Sequence, residues 1–146
     1  MSDGTQVYQV FIKATPEEVW EAITRPDHSV QYFHGAATTN TAERHETHGP
    51  DGSDWGSGAV MEFDPPRRLV HEWRSAYDTE LGAEPASRVS WELDEVSPGL
   101  TRLALVHDRL DSSPRTAESV SGPGWMYVLS SLKSYLETGE ALPRAE

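Results

Sequence analysis

The chain has no cysteine among its 146 residues. Disulfide scaffolds, thiolate metal sites and cysteine nucleophiles are therefore excluded at the outset. Positive charge is also scarce: 12 Lys and Arg stand against 24 Asp and Glu, a formal net charge of -12. That balance argues against a nucleic-acid partner, whose phosphates demand basic residues, and against docking on anionic lipid. Solubility is the simpler explanation for the excess acid, ahead of steering a cationic partner. No apolar run approaches the roughly 18 residues of a membrane span, and the N-terminus lacks a signal-peptide pattern. A soluble, cytoplasmic protein is expected. There is no G-x-S-x-G elbow, no phosphate-cradling glycine loop and no H-E-x-x-H, so nucleophilic and metalloprotease chemistry find no support.

What is present suits one domain spanning 1–146, with a core over about 6–140 and a tail at 141–146 that is expected to fray. Five tryptophans supply bulk for a core or walls for an apolar pocket. The strongest periodic segment runs from Gly122 to Leu142. There Trp125, Leu129, Leu132 and Leu136 fall on one helical stripe, widened by Val128 and Tyr135. Gly122, Pro123 and Gly124 mark its start, and Gly139 stands where a helix-ending glycine is favoured. Such a helix needs a large apolar surface to lie on.

The rest of the chain provides one. Gln6 to Lys13 alternates as a strand, with Tyr8, Val10 and Ile12 on one face. Thr15-Pro16-Glu17-Glu18 predicts a capped helix carrying Val19, Trp20 and Ile23 inward, and a further short turn ends near Tyr32 and Phe33. Ala36 to Thr41 is a candidate strand, whereas Ala42 to Gly58 is polar and glycine-rich and is expected to be a long loop around Trp55. Three strands follow from Ala59: Ala59 to Phe63, Leu69 to Tyr77 and Ser87 to Val96. Thr101 to Asp108 then completes an antiparallel meander with one buried face. Asp111 to Gly122 is expected to be a polar connector. Strand, short helices, a run of strands and one long helix make an α+β domain.

Several stretches carry a resemblance to a known family: ATPEEVWEAITRPD (Ala14 to Asp27), PPRRLVHEWR (Pro65 to Arg74), VSWELDEV, TRLALVHD and GWMYVLSSLKSYLETGE (Gly124 to Glu140). In order and spacing they resemble the activator of heat-shock protein 90 ATPase homologue family of the START-like, or SRPBCC, superfamily, over about Val7 to Leu142. The resemblance implies a helix-grip fold, with a curved antiparallel β-sheet wrapped around a long C-terminal α-helix and a cavity between them. Members often show a clearer pair of strands where this chain has Ala42 to Gly58.

Candidate functional residues follow from the inward faces. His71 and His107 lie on two strands among Trp73, Tyr77 and Trp91. They are either polar contacts at a cavity floor or core histidines satisfied by hydrogen bonds. His45 and His48 form an H-x-x-H with acids nearby, but without a helix or a third ligand they are expected in a solvated loop, and no metal site is assigned. Glu72, Arg74, Arg88, Glu92 and Arg102 belong to the outward face, where cross-strand ion pairs are expected. The cavity-lining set is Tyr32, Phe33, Trp55, His71, Trp73, Tyr77, Trp91, His107, Trp125 and Leu129.

The function read from these features is binding of a small hydrophobic molecule, lipid- or polyketide-like, between sheet and terminal helix. No cofactor and no catalytic residue are assigned, because neither paired carboxylates nor a triad is present. The alternatives are a co-chaperone-like module with a chaperone as partner, and a cyclase- or hydrolase-type enzyme using the two strand histidines. Either a monomer or a homodimer is compatible with the sequence.

Overall fold

The structure is a computed structural model and describes residues 4–121 and 123–143. Strand β1 (Gln6–Ile12) leads into helix α1 (Pro16–Thr24). Thr15 accepts a hydrogen bond from the Glu18 amide, and the Glu18 carboxylate accepts one from the Thr15 amide at 2.9 Å. This capping box satisfies amides that the first helical turn leaves unpaired, a contribution of about 1 kcal/mol. Proline at the first position of α2 (Pro26–Tyr32) ends α1 and starts the next helix.

Seven antiparallel strands form one sheet in the order β1-β7-β6-β5-β4-β3-β2. They are β2 (Ala37–Asn40), β3 (Arg44–His48), β4 (Asp54–Asp64), β5 (Arg68–Trp73), β6 (Ser87–Ser97) and β7 (Leu100–Asp108), in addition to β1. A short α3 (Thr79–Gly82) lies between β5 and β6, and α4 (Pro114–Val120) precedes the long α5 (Pro123–Thr138). The curled sheet and the long terminal helix make the helix-grip fold. Inner-face residues Leu69, Val89, Leu93, Leu103 and Leu105 are fully or almost fully buried and join Val19, Ala22 and Ile23 of α1 and Val128, Leu129 and Leu132 of α5 in one core. Each large apolar side chain so buried contributes roughly 1.5–3 kcal/mol. On the outer face Arg88 pairs with Asp108, Arg102 with Asp94, and Arg68 with both Glu62 and Glu92. No helix among the described residues is long and apolar enough to cross a membrane.

Two expectations need correction. Ala42 to Gly58 is not a long loop: it holds β3 and the first half of β4, joined by a tight turn. The inward residues of β3 are His45 and Thr47, so the strand alternates exposed and buried positions without the apolar residues that would announce it. The glycines of β4 serve close approach. Gly56 has φ of 148°, and any Cβ there would collide with the Arg74 carbonyl.

The connector Asp111 to Gly122 contains α4. Its N-terminal amides at Arg115 and Thr116 donate to the Glu84 carboxylate, and Ser113 Oγ donates to the Pro85 carbonyl. The segment is thereby fixed to the start of β6. In the C-terminal tail, expected to fray from residue 141, Tyr127 donates to the Pro143 carbonyl at 2.7 Å and the Leu142 amide donates to Ser131 Oγ. Residues 144–146, and Gly122 at the start of α5, lie outside the described residues.

Candidate functional site

Where α5 begins, its first turns stand over the middle of the sheet. Trp125 is 2% exposed and packs edge-on against Trp91 of β6 at a ring-centroid distance of 5.8 Å. Trp73 of β5 lies at 5.2 Å from Trp125, and Phe33, just after α2, lies 6.1 Å from it. Offset and edge-on arrangements such as these are the favourable ones for aromatic rings. Beside this group the helix and sheet do not close on each other. A cleft of about 340 Å³ remains, walled by Phe33, Trp55, Trp73, Trp125, Val120 and Val128, with Tyr77 and Ser119 also contributing. Tyr77 is half-exposed; its ring packs against Trp55 at 5.6 Å and its hydroxyl lies 3.3 Å from Ser119 Oγ. Polar groups reach the wall at His34, His45, Thr47 and Arg74.

Of the ten residues singled out from the sequence, Phe33, Trp55, Trp73, Tyr77 and Trp125 line this cleft, whereas Tyr32, His71, Trp91, His107 and Leu129 do not. Tyr32 is buried and donates to the Ala22 carbonyl at 2.7 Å, where burial and the neighbouring Tyr135 hold its phenol protonated. Thr47, Ser119 and Val120 belong to the wall but escaped the sequence reading, and His45, expected in a solvated loop, belongs to it as well. The R-H-E-T-H alternation of β3 and the Ser113-Pro114 start of α4 were the signals that could have found them.

The buried histidines are fixed in defined tautomers by partners whose donor or acceptor role is settled. An indole N–H can only donate. Trp125 Nε1 lies 3.0 Å from His107 Nδ1, so Nδ1 accepts and the proton sits on Nε2, which donates to Ser87 Oγ at 2.7 Å. Trp91 Nε1 lies 3.1 Å from His71 Nε2, so His71 carries its proton on Nδ1 and donates to the Glu72 carbonyl at 2.8 Å. Asn40 uses its amide N–H toward the Ile23 carbonyl, so its oxygen faces His45 Nδ1 at 2.7 Å and His45 is protonated there.

The rings of His45 and His71 stack at 3.8 Å. Two imidazolium ions could not share that space. Burial lowers the pKa of His71 to about 4 and that of His107 to about 3, each from 6.5. His45 is pushed well below 6.5 by burial first and by His71 second. All three are neutral near pH 7. His71 and His107 have both ring nitrogens engaged within the protein, behind the cleft wall, which suits anchoring of the tryptophans rather than proton transfer.

His45 and His48 do not form a metal pair. Within β3 they point to opposite faces, His45 buried and His48 exposed. Among the described residues no group of three His, Asp or Glu side chains gathers as a metal site would require.

A sheet gripping a terminal helix over an aromatic cleft defines a helix-grip protein. The sequence profile of the family described as "Activator of Hsp90 ATPase homolog 1-like protein" matches residues 13–137, and the chain belongs to that family. Among solved structures it is similar to CalU16 from Micromonospora echinospora, with 25% identity and a TM-score of 0.69 over 95% of this chain and 77% of that one. It is also similar to DynU16, from the dynemicin biosynthetic locus, with 25% identity and a TM-score of 0.72 over 96% of this chain, although it spans only 49% of DynU16. An HSP90 activator from Plasmodium falciparum, PFC0360w, shares 17% identity and a TM-score of 0.67 over 90% of this chain and 95% of that one. No curated protein matches the sequence.

Proposed function

We propose that the protein binds a small, largely apolar molecule in the cleft between the sheet and α5. The observation that supports this most directly is the cleft of about 340 Å³, walled by Phe33, Trp55, Trp73 and Trp125 with few polar groups. A concave, mostly aromatic site with a small number of placed polar atoms is the usual form of a small-molecule site. The chemistry of its walls favours binding over catalysis: burial makes the His45 imidazole a weak base, and the hydroxyl next to it, Thr47 Oγ1, stands at the outer hydrogen-bond limit of 3.5 Å. Similarity to a protein of a biosynthetic locus favours a metabolite-sized occupant over a protein partner. The likeness to the Plasmodium activator, at 17% identity, bears on the fold alone.

The test is titration with a neutral hydrophobic fluorophore, N-phenyl-1-naphthylamine, followed by dye emission and by the melting temperature. Saturable binding that raises the melting temperature is expected, because a ligand for the native state alone stabilises it. Val128→Phe, which extends a ring into the cleft from α5, should abolish that binding while the protein stays folded. Absence of saturable binding in the unsubstituted protein, or unchanged binding in Val128→Phe, would overturn the proposal.

A further inference from the structure

Two of the polar side chains in the cleft wall, His45 and Thr47, come from β3, and they leave one hydrogen-bond acceptor poorly served. His45 is 3% exposed. Its Nδ1–H is committed to the Asn40 oxygen at 2.7 Å, which leaves Nε2 with a lone pair and no proton. Among the described residues the one partner of that lone pair is Thr47 Oγ1 at 3.5 Å, the outer limit of a hydrogen bond. Thr47 Oγ1 is also 3.1 Å from Thr38 Oγ1, where either hydroxyl can donate, so even with the Thr47 proton turned to His45 the Nε2 lone pair is met only by the 3.5 Å contact. A buried acceptor left in this condition is costly unless something else donates to it. His45 and Thr47 both form part of the cleft wall, so a bound molecule can reach them. His71 differs: its Nε2 is already taken by the Trp91 indole.

Resting on the reading of the cleft as a ligand site, we infer that His45 Nε2 selects ligands that carry a hydrogen-bond donor. The ligand class is an aromatic or polycyclic molecule with a hydroxyl or N–H at one end, its donor directed at His45 and its ring system between Trp73, Trp55 and Phe33. Ethers and ketones of the same shape offer a second acceptor there and are discriminated against. His45 is thus a specificity-determining residue in a strand that looks like polar loop in the sequence. The flat, neutral stack of His45 on His71 at 3.8 Å fixes the ring plane and so the direction of the lone pair.

The experiment compares 2-naphthol with 2-methoxynaphthalene by isothermal titration calorimetry. The unsubstituted protein should prefer the naphthol by about tenfold, the scale of one hydrogen bond to a buried acceptor. His45→Phe keeps a flat ring but removes Nε2, and should bind both probes equally, with affinity for the ether retained. Because that change also leaves the Asn40 oxygen unpaired and can impair folding, Thr47→Val provides an independent variant. It removes the competing hydroxyl and leaves Nε2 free, so the preference should persist or grow. The Nε2 nitrogen resonance of His45 should also move upfield on addition of 2-naphthol and stay in place with the ether.

Equal affinities for the two probes in the unsubstituted protein would overturn this inference while leaving the cleft as a ligand site. Loss of the preference in folded Thr47→Val would overturn it too, by assigning the selection to Thr47. If neither probe nor the neutral fluorophore binds, the cleft reading falls and this inference with it.

Discussion

Lowering the pH from about 7.5 to about 5 should destabilise this fold through its buried histidines. His71 has a folded pKa of about 4 and His107 of about 3, against about 6.5 in the unfolded chain. Over the interval between the folded and unfolded values, the unfolded chain binds protons that the native state refuses. The stability from keeping these rings neutral is therefore fully present above about pH 6.5 and is lost as the pH falls toward the folded values.

Between about pH 7.5 and about pH 5 each of the two should remove about 2 kcal/mol, so about 4 kcal/mol together. His45, lowered by burial and by His71, acts in the same direction. That is a large part of the 5–15 kcal/mol that holds a typical domain folded. Relief of repulsion within a chain of net charge -12 works the other way, and about 0.5 M salt suppresses it by screening.

The assay is urea unfolding at that salt concentration across the interval, with imidazole resonances followed by NMR in the folded state. The midpoint should fall steadily below about pH 6.5, while the resonances of His71 and His107 stay at their neutral positions down to about pH 5. A flat or rising stability as the pH falls, or imidazoles of His71 and His107 titrating near their ordinary value in the native protein, would refute the assigned tautomers and their environment.

Three further outcomes are expected. Trp125→Phe removes the indole N–H that donates to His107 Nδ1 at 3.0 Å, and urea unfolding should show a loss of about 1–3 kcal/mol from the orphaned acceptor, plus the lost packing. Gly56→Ala places a Cβ against the Arg74 carbonyl at a backbone φ of 148°. A melting scan should show a loss of more than about 1 kcal/mol and quenching experiments a more exposed Trp55. Thr15→Ala removes one half of the α1 capping box and should cost about 1 kcal/mol in urea unfolding, without affecting fluorophore binding at the distant cleft.

The terminal helix, the two helices after β1, and β6 and β7 were legible because their apolar residues recur at a single period, whereas the strand expected over Leu69 to Tyr77 ends at Trp73. That regularity is a direct consequence of having one face to bury. Trp125, Leu129 and Leu132 are on one helical stripe in the sequence and on one buried face in the fold. The capping box was equally plain, since it depends on residues three apart.

The β3–β4 pair was not legible, because its inward residues are His45 and Thr47 and its glycines resemble loop punctuation. What makes them strand residues is distant: Asn40 and Thr38 across the ladder, and the backbone of Arg74 and of Glu72 that Gly56 and Gly58 approach. The same limit applies to the site. An aromatic surplus on converging faces could be seen, and five of the ten selected residues do line the cleft.

Sequence by itself determined the family, the strand and helix periods, and the absence of thiol chemistry, because each depends on residue type and local spacing. Tertiary structure alone decided which tryptophan faces the cleft and which anchors a histidine. Those roles follow from pairings such as Trp125 with His107 and Trp91 with His71, between residues 18 and 20 positions apart, whose geometry exists only once the sheet has curled around α5.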